Sequence, residues 1–149
     1  MIYIVIYVIG LILGIGIYLM NPEIGFVTSL LLSNLVFCVG FFGIFNFIGH
    51  TILSKKVAQS IGWTSNGFQK ELGFVSLGIG INGILCYWFR NGFWIATAVP
   101  FSVFLIGAGI LHIIEIRKNR NFNRGNTWII LPDFIMPLTI IVLLILQYI

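Results

Sequence analysis

Residues 66–83 read NGFQKELGFVSLGIGING, and this stretch decides the fold. It starts with polar residues, carries Lys70 and Glu71, and continues as an apolar run that small residues interrupt at regular intervals. An apolar run with a charged beginning predicts a helix that enters a membrane. The rest of the chain is then expected to supply the helices that pack around it.

Composition places the whole chain in a membrane. Of the 149 residues, 59% are hydrophobic and only 8% are charged, far from the balance of a soluble domain. Crossing the ~30 Å hydrocarbon core takes about 20 apolar residues. Five stretches satisfy this requirement, and they cover residues 2–20, 24–49, 68–89, 93–114 and 128–149. We therefore predict an all-α integral membrane protein, a single domain over residues 1–149 folded as a compact bundle of five transmembrane helices.

The basic residues predict the orientation of this bundle. Alternate threading of five helices places seven of the eight lysine and arginine residues at one end and only Arg90 at the other. Cytoplasmic loops are enriched in lysine and arginine. We therefore predict a multi-pass plasma-membrane protein with a cytoplasmic N-terminus and its C-terminus outside. The net charge of +4 is explained by this asymmetry, so no nucleic-acid partner is expected.

The loop after the second span has the pattern of a short amphipathic helix. Apolar residues recur every four positions at Leu53, Val57 and Ile61. We expect residues 51–63 to lie on the inner membrane surface, with Gly62 ending the helix and Trp63 anchoring it. Asn66, with Gln69 three residues later, then resembles a capping box that opens the third span.

Small residues form a stripe along the third span. They are separated by three, four and three positions, and they are Gly73, Ser76, Gly80 and Gly83. Residues with this spacing share one helix face, and small side chains there let another helix approach closely. We predict a helix-packing seam; a groove for an apolar ligand or a lipid tail is the alternative.

Five ionisable side chains mark the candidate site. They are His50, Glu71, His112, Glu115 and Asp133. Alternate threading places all of them toward the inner end of the bundle. Ionisable groups within a membrane are costly, so each is a candidate for binding a ligand or a proton. Whether they meet depends on the order in which the helices pack.

Each of these residues also has a purely structural explanation. Glu71 and Asp133 lie near the predicted starts of helices, where the macrodipole favours an anion. His50 could act only as an interfacial hydrogen-bond donor. Glu115 lies near the end of a helix and opposes the dipole, so a nearby basic residue such as Lys118 is expected to compensate it.

His112 and Glu115 are spaced i and i+3, so they share a helix face and could hold a proton or a metal together. Metal sites in helical bundles typically use repeated Glu-x-x-His pairs, and this sequence has no such repeat. Nucleotide-binding, serine-hydrolase and zinc-protease motifs are also missing from the sequence. We therefore assign no metal ligand and no catalytic residue, and the sequence leaves any cofactor unknown.

Several short motifs resemble a known family. They are Ile61-Gly62-Trp63, residues 67–74 and 77–80, and then Gly109, His112, Asn123, Gly125-Asn126, Asp133 and Pro137. Over residues 40–149 they are similar to a small uncharacterised family of prokaryotic multi-span membrane proteins, catalogued as a domain of unknown function. That family is distantly similar to DoxX-like four-helix membrane proteins. Its members commonly have glycine after the last-loop asparagine, where this chain has Asn126-Thr127. The resemblance implies a fold and a location, and no activity.

Three functions follow from these patterns. The first is a non-enzymatic membrane protein whose polar pocket at the cytoplasmic face binds a small ligand or lipid, or which serves as a subunit of a larger assembly. A homo-oligomer and a partner membrane subunit both fit that role. The second is a small proton-coupled transporter that uses Glu71, His112, Glu115 and Asp133 as a relay. The third is a metal-dependent membrane enzyme that uses the same groups.

Overall fold

A computed structural model describes residues 2–149, and every regular element in that range is helical. The α-helices are α1 (Ile2–Met20), α2 (Phe26–Asn34), α3 (Phe42–Thr51), α4 (Ser54–Ile61), α5 (Gly67–Leu85), α6 (Gly92–Asn119), α7 (Arg124–Trp128) and α8 (Ile130–Tyr148). A π-helical segment, Leu35–Phe41, joins α2 to α3 without a break. Together these three pieces form one helix, Phe26–Thr51, which we call the central helix.

The central helix organises the bundle because the other long helices pack around it. Its α2 portion lies against α1 and α8, while its π-helical segment and α3 lie against α5. Helix α6 packs mainly on α8 and also touches the π-helical segment. The central helix, α6 and α8 meet in the fully buried core. Its residues are Leu31, Leu35, Val39, Phe101, Leu105, Met136 and Ile140. The central helix therefore lies in the middle of the bundle.

Helix α5 approaches the central helix at backbone distance. A methyl group at Gly80 would lie 2.8 Å from the carbonyl oxygen of Gly40 and 3.0 Å from the Cα of Gly43. Such distances are too short for a carbon atom, so only glycine fits at this crossing. One polar tie crosses the same region, since Asn46 accepts a hydrogen bond from Tyr3 of α1 at 3.1 Å and donates one to Ser76 of α5 at 2.8 Å.

Helix α4 lies in the connection between the central helix and α5. The predicted amphipathic helix at 51–63 is shorter than expected, because residues up to Leu53 still hydrogen-bond back to Ile48 and belong to the end of the central helix. Gly62 ends α4 in the left-handed conformation, with φ 77°. The Asn66 side chain accepts a hydrogen bond from the Gln69 amide and caps α5, as the sequence predicts.

Four helices are long and apolar enough to cross a membrane, and they are Ile2–Met20, Phe26–Thr51, Gly92–Asn119 and Arg124–Tyr148. Several long apolar helices of this kind indicate a membrane protein. The remaining predicted span corresponds to α5, a helix of 19 residues that is not among these four. Its first turns carry Lys70 and Glu71, which lower its apolar character.

Two helices have limits that differ from those of the predicted spans. The third span was expected to reach residue 89, but α5 ends at Leu85 and a turn follows. The fourth was expected to end at residue 114, but α6 continues to Asn119 and ends where Arg120 turns left-handed, with φ 51°. Hydropathy marks where apolar residues stop, whereas a helix can continue into polar sequence as long as its backbone bonds are satisfied.

Candidate functional site

The five ionisable candidates lie toward one end of the bundle, which we call the polar end. It contains the C-terminal ends of α3 and α6, the N-terminal ends of α5 and α8, helix α4 and the loop Arg120–Asn123. The candidates do not form one cluster there. His112 and Asp133 lie together, His50 lines a separate cavity, and Glu71 and Glu115 lie outside both.

His112 and Asp133 form a buried pair between α6 and α8. The Nε2 atom of His112 lies 3.9 Å from Oδ2 of Asp133, and the two residues are only 7% and 3% exposed. Asp133 packs beside Gly109, where a methyl group would lie 3.1 Å from the Asp133 Cβ. No residue from 2 to 149 donates a hydrogen bond to Oδ2 of Asp133. The pair is therefore held by the packing of two helices rather than by a surface contact.

Three further residues hold the ring of His112. Asn126 is fully buried, and its Oδ1 lies 2.7 Å from the His112 Nδ1. The indole of Trp63 stacks on the imidazole, with ring centroids 5.4 Å apart and an angle of 24° between the planes. Asn121 fixes the segment that carries Trp63, because it donates a 2.7 Å hydrogen bond to the carbonyl of Ile61. The loop after α6 thus holds the α4 turn through Asn121, and α7 holds the histidine through Asn126.

His50 belongs to a cavity of about 230 Å³ beneath α4. Its walls come from the end of the central helix, from α4, from the segment between α4 and α5, and from the start of α5. The wall residues are His50, Ala58, Ile61, Trp63, Thr64, Asn66, Phe68, Gln69 and Leu72. The Nδ1 atom of His50 and the Oε1 atom of Gln69 are both buried, and neither has a hydrogen-bond partner in the part of the chain that the structure describes. Gln69 is held in place by its other end, which donates to the carbonyl of Ser54 at 3.0 Å.

Trp63 connects the cavity to the buried pair. One tryptophan side chain both lines the cavity and stacks on His112. A second depression, of about 310 Å³, lies on the outer face of α8 and is lined almost entirely by apolar side chains. A membrane protein normally covers such an outward-facing apolar surface with lipid, so the cavity beneath α4 is the better candidate for specific binding.

Glu71 and Glu115 belong neither to the buried pair of His112 and Asp133 nor to the cavity beneath α4. Glu71 is exposed on α5. Glu115 accepts a 2.9 Å hydrogen bond from the Asn119 amide, one turn further along α6, and not the expected ion pair with Lys118. Among residues 2–149, no three His, Cys, Asp or Glu side chains lie close enough together to hold a metal ion.

The small-residue stripe of α5 faces the central helix along its whole length. Gly73, Ser76, Gly80 and Gly83 are all buried. A methyl group at Gly73 would lie 2.7 Å from the Thr51 side chain, and one at Gly83 would lie 2.8 Å from the Gly40 Cα. The cavity, which is lined by His50 and Leu72, therefore lies next to the Gly73 end of this close helix contact.

One known family covers the whole chain. The model described as "Family of unknown function (DUF6790)" matches residues 1–149. The chain belongs to the DUF6790 family. This confirms the predicted membership of an uncharacterised family and extends it from residues 40–149 to the full sequence. No curated protein and no solved structure matches the chain, so the similarity to DoxX-like proteins stays a prediction.

Sequence reasoning missed two parts of this DUF6790 site. Gln69 was interpreted only as a capping residue, and Asn121 and Asn126 were given no role. A signal for the asparagines was present, because residues 121–126 read NFNRGN directly after a long apolar helix. Three amides within six residues offer more hydrogen-bonding groups than an exposed turn needs, and this excess favours a structured loop.

Proposed function

We propose that this DUF6790 chain is a single-domain plasma-membrane protein with its polar end in the cytoplasm. We propose five transmembrane helices, which are the four long apolar helices and α5. The length of α5 supports this, since 19 residues at 1.5 Å each give about 28 Å, close to the bilayer core. Its buried stripe also runs along the central helix, which itself is long enough to cross. The basic loops support the cytoplasmic placement of the polar end.

Cysteine accessibility tests this arrangement on either side of α5. Lys56 and Arg90 are both exposed and flank α5, whereas the two native cysteines are fully buried. In intact cells, a membrane-impermeant maleimide should label the Arg90→Cys variant and should label Lys56→Cys only after permeabilisation. Labelling of both positions from the same side would show that α5 does not cross.

The function that the geometry supports best is binding of a small uncharged molecule, or of the hydroxyl-bearing end of a lipid, in the cavity beneath α4. One observation carries this proposal: two residues of this mostly apolar cavity lining, His50 and Gln69, each hold a buried polar atom, Nδ1 and Oε1, that has no protein partner among the described residues. Buried polar atoms are normally paired, because an unpaired one costs about 1–3 kcal/mol. A ligand that hydrogen-bonds to them would recover that cost.

The walls also define the chemistry of the ligand. None of the nine wall residues is Asp, Glu, Lys or Arg, so a charged molecule would lose its hydration without gaining a counter-ion. The oxygen of Gln69 can only accept a hydrogen bond, and the imidazole nitrogen can accept or donate one. A hydroxyl group meets both demands. The volume of about 230 Å³ is below the ~300–1,000 Å³ typical of drug-sized ligands, so the site fits a small molecule or one end of a longer one.

Photolabelling with a medium-chain alcohol that carries a diazirine tests the proposal. In purified protein in lipid vesicles, we expect the label on the cavity walls between residues 50 and 72, and we expect excess unlabelled alcohol to prevent it. Gln69→Leu should reduce labelling severalfold, because the acceptor is lost. Glu71→Gln, two residues away and exposed, is the matched control and should not. Labelling spread evenly over the outer helix faces, unaffected by Gln69→Leu, would refute the binding site.

A second candidate function, proton-coupled transport, is favoured by the buried pair of His112 and Asp133. A histidine and a carboxylate buried together at one end of a membrane bundle are typical of proton relays. Of the four residues of the predicted relay, Glu71 is exposed and Glu115 is hydrogen-bonded to Asn119, so the buried pair is the part that supports a relay. If the protein is a carrier, His112→Gln should abolish pH-driven flux into liposomes and Glu71→Gln should preserve it. Retention of flux in His112→Gln would rule the relay out.

A further inference from the structure

Asn126 fixes the protonation pattern of His112 by a chain of hydrogen bonds. The Nδ2 group of Asn126 donates to the backbone carbonyl of His112 at 3.3 Å and to that of Asn121 at 3.0 Å. Carbonyl oxygens can only accept, so the amide cannot be turned around without placing its oxygen against two other oxygens. The Oδ1 atom must therefore face the His112 Nδ1, from which it lies 2.7 Å.

This orientation decides which ring nitrogen of His112 carries hydrogen. Because the Asn126 oxygen is an acceptor, the Nδ1 atom of His112 has to be the donor. In the neutral imidazole the Nε2 atom then has a free lone pair. The Nε2 atom that carries this lone pair lies 3.9 Å from Oδ2 of Asp133. The negative oxygen of a carboxylate repels the lone pair of a nearby nitrogen. A proton bound to either Nε2 of His112 or Oδ2 of Asp133 removes this repulsion.

The net charge of the pair also favours one bound proton. Both side chains are almost completely buried, and no lysine or arginine of the described chain lies within 4.0 Å of Asp133. With one proton, the pair is either neutral His112 with neutral Asp133 or an imidazolium with a carboxylate; the net charge is zero in both. With no proton or with two, a net charge would remain buried, which is costly.

The surroundings do not change this count. On the same helix, Glu115 is the nearest acidic group, and its oxygen is engaged by Asn119. From helix α1, Tyr3 lies within electrostatic range of Asp133 and donates its hydroxyl proton to Asn46. From the α4 side, His112 meets the uncharged ring of Trp63. Glu115 carries no positive charge, and neither Tyr3 nor Trp63 brings one to Asp133, so among these neighbours only His112 can supply its counter-charge.

We propose that His112 and Asp133 form a buried binding site for a single proton, and that Asn126 is the positioning residue that reserves the Nε2 atom for it. The separation of 3.9 Å exceeds hydrogen-bond length, so the proton resides on Nε2 or on Oδ2 and moves between them when the helices approach. Binding takes one proton from water and releasing it returns one. The site requires neither a ligand in the α4 cavity nor transport.

The composition of the chain makes a direct test feasible. The sequence contains two histidines and one aspartate, so a His50→Gln variant has His112 as its only histidine and Asp133 as its only aspartate. We would label histidine with ¹⁵N and aspartate with ¹³C and record NMR spectra in lipid vesicles over a pH series. His50→Gln serves here only to remove the second histidine signal.

We expect Nδ1 of His112 to stay protonated at every pH at which the protein is folded, and we expect His112 and Asp133 to change protonation state in coupled steps. Detection of a neutral imidazole protonated at Nε2 would overturn the proposal. So would a carboxyl of Asp133 that titrates with no response at His112. Adding Asn126→Leu should allow the Nε2-protonated tautomer; an unchanged tautomer in that folded variant would remove the positioning role of Asn126. These readouts are independent of alcohol labelling and flux, so the proposals can fail separately.

Discussion

Replacing Gly80 with alanine should push α5 away from the central helix. The new methyl group would meet the Gly40 carbonyl oxygen at 2.8 Å and the Gly43 Cα at 3.0 Å. Both are backbone atoms, so no change of side-chain rotamer can relieve the contact. Gly78, two residues earlier on the same helix, is the matched control because a methyl group there meets nothing within 4 Å among the described residues.

The magnitude follows from two terms. Alanine is preferred over glycine inside a helix by roughly 1 kcal/mol, and this gain applies equally to both variants. Overpacking a close contact costs typically about 1–3 kcal/mol, and it applies only to Gly80→Ala. The free energy of unfolding should therefore differ by about 2 kcal/mol between the variants, which is roughly a thirtyfold difference in the ratio of unfolded to folded protein.

Thiol labelling during reversible unfolding in mixed micelles would measure this difference. Cys38 and Cys86 are both free and fully buried, so a maleimide should react with them only in unfolded protein. Gly80→Ala should be labelled at a lower fraction of denaturing detergent than the native chain, and Gly78→Ala at an equal or higher one. Equal midpoints for the two variants would refute the close crossing of α5.

Two further predictions use the same assay. Gly62→Ala should destabilise the protein by roughly 1 kcal/mol or more, because residue 62 has φ 77° and neighbouring atoms fill the space for a side chain. Gly67→Ala should not destabilise the protein, because a methyl group there has open space. Equal effects at the two sites would contradict a left-handed turn at residue 62. Asn46→Leu should cost about 1–2 kcal/mol, because it removes the tie between Tyr3 of α1 and Ser76 of α5; an unchanged midpoint would show that the tie is not stabilising.

Features set by neighbouring residues could be predicted from the sequence. The α4 helix, its end at Gly62 and the Asn66 cap of α5 each depend on a few consecutive side chains. The helical fold and the apolar helices depend only on composition and periodicity. In each case the physical cause lies within one or two helical turns.

Features set by helix order could not be predicted. The pairing of His112 with Asp133 depends on α6 packing against α8, and no spacing in the sequence determines that neighbour. Trp94 is a second example. It is only 2% exposed, because its indole donates to the carbonyl of Cys86 across the turn between α5 and α6. Hydropathy indicates whether a residue is buried away from water, and it does not identify the group against which that residue packs.

The π-helical segment Leu35–Phe41 has a consequence for chain length. A residue removed from an ordinary α-helix rotates everything beyond it by about 100°, which would turn Gly43 away from α5. Within a π-helix the wider turn already contains a surplus residue. Deleting one residue there can restore α-helical bonding while Ser33 still faces α1 and Gly43 still faces α5. The central helix thus has one place where a shorter sequence would preserve the same bundle.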